Sequence, residues 1–137
     1  MLDATDLAII EILKKNARIQ WREIGEQVHM TGQAVGNRIR RMEEMGLIKG
    51  YRIDVDELKL GNTLTAFVTI FMKTTAHREF VEFVTDNPQI IGADRISGDG
   101  CYILKIKAAS HEELNALLDS FLKFGNYRVN LSLGHIK

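Results

Sequence analysis

Residues 31–46 read Thr-Gly-Gln-Ala-Val-Gly-Asn-Arg-Ile-Arg-Arg-Met-Glu-Glu-Met-Gly, and this stretch decides the fold of the first third of the chain. Thr31 suits an N-cap, because its hydroxyl can accept one of the orphan backbone N–H groups at a helix start. Val35, Ile39 and Met42 recur at helical spacing, and Gly46 stands where a left-handed residue ends a helix. Stepping about 100° per residue puts Gln33, Asn37, Arg40, Arg41 and Glu44 on the side opposite the aliphatic one. The spacing predicts a helix over 31–45 with one buried side and one polar side.

Upstream, Asp3 and Asp6 place acidic groups at the start of a helix that carries Ile9, Ile10, Ile12 and Leu13 and fades near Asn16. A second short helix spans 21–28, with Ile24 and Val28 on one face. Downstream, Leu47-Ile48 and Tyr51-Arg52-Ile53 flank Lys49-Gly50, a pattern that fits two short strands around a tight turn. Three helices and such a hairpin make a winged helix-turn-helix over 1–53. Residues 54–62 read as a linker.

From 63 onward, period-two runs alternate with amphipathic helices. A strand over 63–72 sends Leu64, Ala66, Val68, Ile70 and Met72 to one face and Thr65, Phe67, Thr69 and Phe71 to the other. Phe80, Val81, Phe83 and Val84 mark a helix, followed by strands over 89–96 and 101–108 around Ser97-Gly98-Asp99-Gly100. Ser110 and Glu113 form a capping box for a helix carrying Leu114, Leu117, Leu118, Phe121 and Leu122, which Gly125 caps before a last strand over 127–136. The order βαββαβ over 63–137 is the ferredoxin-like arrangement, a four-stranded antiparallel sheet with two helices on one face. The fold class is α+β. Phe67 and Phe71 would project from the sheet's open face, so burial against a second copy is expected.

Composition narrows the function classes. The chain has 137 residues, 45% hydrophobic and 26% charged, with zero formal net charge. Over 31–52, however, Arg38, Arg40, Arg41, Lys49 and Arg52 face only Glu43 and Glu44, a local positive excess that fits a phosphate footprint. Cys101 is the single cysteine, and the four histidines share no metal-ligand spacing, so a disulfide and a metal centre are both unexpected. No apolar run approaches the roughly 18 residues of a membrane span, and the first residues do not form a secretory leader, so a cytoplasmic location is expected. No paired nucleophile and base and no Gly-rich phosphate loop is found, which argues against an enzyme.

Read together, Leu2-Asp3 with Asp6, Ala17-Arg18, Glu23-Ile24, Met30-Thr31, Val35, Arg38-Ile39, Met42-Glu43 and Gly46-Leu47-Ile48 resemble the Lrp/AsnC family of feast/famine regulators. Tyr51, Val55-Asp56 and Leu60-Gly61 carry the resemblance into the linker, and it covers essentially the whole chain. It implies a transcription regulator that binds double-stranded DNA, pairs through the βαββαβ half into a homodimer, and builds tetramers or octamers. It also implies an amino-acid effector at the turn between the second and third strands, here Gly98, Asp99, Gly100 and Cys101 before Tyr102. This sequence departs from the family's Gly-Asp-Tyr-Asp pattern there: Gly100 takes the aromatic position and Cys101 that of the second carboxylate. A sensor and an effector-independent protein both stay open, as does an architectural protein that wraps or bridges DNA. No other cofactor is expected.

Residue chemistry assigns the DNA contacts independently. Gln and Asn bond adenine in two places and Arg bonds guanine likewise, so Gln33, Asn37, Arg40 and Arg41 are the candidate base readers. Gln33 and Asn37 rank first because they lie nearest the helix start. Trp21, Arg22, Thr31, Arg38, Lys49 and Arg52 are assigned to the DNA backbone, where contacts position the helix without reading sequence.

Overall fold

The computed structural model describes residues 1–137. The chain divides into two compact units, Met1–Asp54 and Val55–Lys137.

The first unit holds three helices, α1 (Ala4–Lys15), α2 (Trp21–Val28) and α3 (Gly32–Glu44). Side chains cap the starts of α1 and α3, whereas Gln20 before α2 makes no capping bond. Asp3 and Asp6 form a reciprocal capping box at α1: the Asp6 N–H donates to Asp3 Oδ1 over 2.8 Å and the Asp3 N–H to Asp6 Oδ2 over 3.1 Å. Thr31 Oγ1 accepts from the Ala34 N–H at 3.1 Å and opens α3. That helix ends in a Schellman motif, with Gly46 at φ 76°, its N–H bonded to the Glu43 carbonyl, and the Leu47 N–H bonded to the Met42 carbonyl. Ile9, Ile24, Val35, Ile39 and Met42 form the buried core where the three helices meet.

The turn between α2 and α3 is tight. His29 adopts a left-handed conformation (φ 59°), the Met30 N–H donates to the Gly25 carbonyl at 2.9 Å, and a Cβ on Gly25 would lie 2.3 Å from the Met30 carbonyl oxygen. Only glycine permits that approach. The expected wing is different. Residues 47–53 form no strands, and all except Ile48 are exposed. A hairpin of two- and three-residue strands with no third strand to lie on gains too little burial to hold its ladder in water.

The second unit opens with a 3-10 turn, Glu57–Leu60, capped by Asp56. Glu57 accepts from Asn62 Nδ2 at 2.8 Å and pairs with Lys107 Nζ at 3.4 Å, which ties the turn to the sheet. Then come β1 (Leu64–Met72), α4 (His77–Asp86), β2 (Ile90–Arg95), β3 (Tyr102–Ala108), α5 (His111–Phe121) and β4 (Gly125–Leu131). The sheet is antiparallel with strand order β2-β3-β1-β4, the ferredoxin-like topology. Ala66, Val68, Ile70, Leu104 and Ile106 meet Phe80, Leu114, Leu118 and Phe121 in its core.

Two boundaries differ from expectation. β4 runs over 125–131 and not 127–136, because β1 offers no partner beyond its own first residues: Leu131 sits opposite Ala66, and the last bond is from the Ser132 N–H to the Thr65 carbonyl. Gly125 opens β4 and does not cap α5. It pairs with Met72, and a Cβ there would lie 2.1 Å from the Phe71 carbonyl oxygen, so the strand start excludes a side chain.

Candidate nucleic-acid interface

α3 carries its polar groups in two stripes. Gln33, Asn37, Arg40 and Glu44 lie three and four residues apart along one exposed edge, away from the buried Val35, Ile39 and Met42. Thr31 occupies the helix start, and Trp21 and Arg22 lie exposed at the start of α2. Gly32 packs close to the Arg22 backbone: a Cβ on it would lie 3.2 Å from the Arg22 nitrogen. The two helix starts, with Gln33 and Arg22, are therefore neighbours. Lys49 and Arg52 are exposed in the irregular stretch that follows α3.

Arg38 and Arg41 form the second stripe, and it faces α1. Arg38 Nη1 donates to Asp3 Oδ2 at 2.6 Å and to Asp6 Oδ1 at 3.0 Å, while Arg41 Nη2 donates to Asp6 Oδ2 at 2.5 Å. Asp6 is 0% exposed, and only 26% of the Arg38 side chain is accessible. Burial alone would push Asp6 up, but the Asp3 amide, Arg38 and Arg41 outweigh it and hold the carboxyl below its ordinary range. Asp3 is lowered to about 2, first by the Arg38 hydrogen bond and then by the Asp6 amide. The same pairings raise Arg38. Arg41, expected on the base-reading face, instead turns toward the α1 start, since residue 41 is three positions from Arg38 and both reach one buried acid. No local pattern signals this clasp, whose partners lie 32 and 35 positions apart.

In the second unit, the turn at 97–101 joins β2 to β3. Gly98 is left-handed at φ 97° and Asp99 is exposed at the tip. Gly100 is buried, and a Cβ on it would lie 2.4 Å from Thr69 Cγ2. The Cys101 N–H donates to the Ile70 carbonyl at 2.8 Å, and the Ile96 N–H donates to the Cys101 carbonyl at 3.0 Å. Gly100 and Cys101 thus dock the turn on β1, leaving Gly98 and Asp99 facing outward. A side chain at position 100 would have to displace the Thr69 methyl group.

A trihelical unit with a tight α2–α3 turn and an exposed α3 stripe of Gln, Asn and Arg defines a helix-turn-helix DNA-binding protein. Known proteins bear this out. Residues 2–43 match the model of the AsnC-type helix-turn-helix domain, and residues 65–137 match that of the Lrp/AsnC ligand binding domain. The chain is 52% identical over 136 residues to the HTH-type transcriptional regulator LrpB of Bacillus subtilis, covering 99% of this chain and 91% of that one. With LrpA of the same organism it shares 36% over 135 residues, 98% and 99% of the two chains. Its fold superposes on that of B. subtilis LrpC with a TM-score of 0.93 at 32% identity, covering 100% of this chain and 98% of the other. A Neisseria meningitidis regulator solved with L-Met shares the fold alone, at 23% identity and a TM-score of 0.92 over 100% of this chain and 93% of that one. The chain belongs to the Lrp/AsnC family and is a DNA-binding transcriptional regulator.

Proposed function

We propose that this regulator reads duplex DNA with the exposed stripe of α3, where Gln33, Asn37 and Arg40 meet base edges in the major groove. The observation that carries this reading is the segregation of α3 into a stripe free to face a duplex and a stripe engaged by Asp3 and Asp6. Gln33 and Asn37 supply the bidentate chemistry for adenine and Arg40 that for guanine. Thr31, Arg22, Lys49 and Arg52 hold phosphates. Arg38 and Arg41 set the pose of α3 against α1, and their charges are met inside the unit. Replacing Asn37 by Ala should reduce preference for a selected duplex over a scrambled one by about 1 to 3 kcal/mol, whereas Arg52→Ala should weaken both duplexes equally and flatten the salt dependence by about one unit. Equal losses of preference in both variants would refute the division.

The working unit is a homodimer in which a second copy covers the open face of the sheet. Phe67 is 39% exposed there, beside Phe71, with Lys105 and Arg128 lying over the two rings at 5.9 and 5.2 Å. Two reading helices then address half-sites about one helical turn apart, or a multiple of it, and tetramers or octamers of such dimers follow. The role is regulation at discrete sites and not catalysis. Footprinting across a genomic library should give a few sharp sites, and broad coverage would favour a DNA-wrapping protein instead.

The effector is an amino acid held at the 98–101 turn, its ammonium group received by Asp99 and its carboxylate by the turn's backbone amides. The match to a ligand binding domain and the outward tip at Gly98 and Asp99 support this reading. Calorimetry with the twenty amino acids should show saturable heat for one of them that Asp99→Asn abolishes; silence throughout would make the protein effector-independent.

A further inference from the structure

Trp21, expected at the DNA backbone, lays its ring against α3. A Cβ on Gly36 would come within 2.4 Å of two atoms of the indole, Cε3 and Cζ3, so the ring lies flat in the notch that this glycine leaves on α3. One turn further along α3, the guanidinium carbon of Arg40 stands over the same ring, 5.2 Å from its centroid. Arg40 Nη1 also donates to Asn37 Oδ1 at 3.1 Å. Three features therefore converge on one exposed arginine: an aromatic face beneath it, a hydrogen bond beside it, and a glycine that admits the ring. An isolated surface arginine samples many rotamers, and binding must then restrict them.

We infer that Trp21 is the positioning residue for Arg40, and that it sharpens sequence discrimination by holding the guanidinium ready for a guanine edge without itself touching DNA. The inference deepens the α3 reading above and rests on it. The π face is the active feature, since guanidinium stacking needs an aromatic ring and a mere apolar cover does not supply it. Asn37 contributes the second restraint, so Asn37 and Arg40 enter the groove as one preset pair.

The full-length protein supplies the test, with a duplex enriched from a randomised pool and a scrambled duplex of the same composition. Trp21→Leu keeps apolar cover over Gly36 and removes the π face. It should lower the selected-to-scrambled affinity ratio by about threefold to tenfold with the salt slope unchanged. Trp21→Phe should restore most of the ratio. Arg40→Ala should lower the ratio by itself, and adding Trp21→Leu to it should cost nothing more. Gly36→Ala should lift the indole out of its notch, shifting the tryptophan emission to the red and lowering the ratio as Trp21→Leu does. Additive losses in the double variant would overturn the proposal while leaving Arg40 as a base reader. A flatter salt slope for Trp21→Leu with an unchanged ratio would overturn it in favour of a backbone contact. An unchanged ratio for Arg40→Ala would remove the base-reading role and the positioning role together.

Discussion

The carboxylate of Asp6 is closed off from solvent, yet it stays charged because two guanidiniums and an amide replace the water it gives up. Asp3 shares Arg38 and closes the capping box, so one cluster fixes both the start of α1 and the pose of α3. Asp6→Ala removes three charge-assisted bonds at once while Arg38 and Arg41 recover some water, and the expected loss is about 2 to 3 kcal/mol in chemical denaturation. Both carboxyls have folded values depressed below their unfolded ones. Their contribution is therefore complete above the unfolded carboxylate range and is lost as pH falls, for Asp3 between about 4 and about 2. Melting temperatures measured from pH 6 to pH 2 should fall for the wild type more steeply than for an Asp3→Asn, Asp6→Asn double variant. Parallel curves would contradict the clasp. Asp3 and Asp6 were legible as helix-start acids from their position alone, whereas their guanidinium partners were not, since nothing local links residue 6 to residue 41. The indole notch at Gly36 escaped for the same reason: a glycine in a helix signals a close approach but not by which residue.

At the level of elements, the helices of the first unit were the most legible part, because the starts of α1 and α3 and the end of α3 carry their own chemistry. Thr31 and Gly46 bound α3 within one residue of the expected limits. Thr31→Ala should cost about 1 kcal/mol by losing the bond to the Ala34 N–H, read as a shift in the denaturant midpoint. Strands proved harder to bound, since a strand ends where its partner ends and period two cannot report that. The tail at 132–136 continues an alternating pattern but has no neighbour to pair with, and the pattern at 47–53 lacks a third strand. Gly125 shows the opposite case, a residue typical of helix ends that is required by backbone crowding against Phe71. Gly125→Ala should therefore disrupt the β1–β4 edge and unfold the second unit at markedly lower denaturant, a result visible in the amide exchange of 125–131. An exchange pattern like the wild type's would show that the strand start tolerates a side chain.

For the whole molecule, the sequence carried the order of elements and the existence of an uncovered sheet face, and β1 displays it: Ala66, Val68 and Ile70 are buried while Phe67 between them is not. The proposed homodimer would bury this face against a second copy. Phe67→Asp places a charge on that surface and should convert the proposed homodimer to monomers in analytical ultracentrifugation, with DNA affinity falling because two linked half-site contacts become independent ones. A dimer of unchanged stability would locate the contact elsewhere. The central claim, that α3 and its flanking cations engage a duplex, is met most directly by titrating the full-length protein into a selected duplex across a range of salt concentrations. Neutralised phosphates release counterions, so the logarithm of the association constant should fall linearly with the logarithm of salt, with a slope of about −0.9 for each phosphate contacted and a shallower line for a Lys49→Ala, Arg52→Ala variant. Salt-independent binding, or no binding to any duplex at low salt, would contradict it.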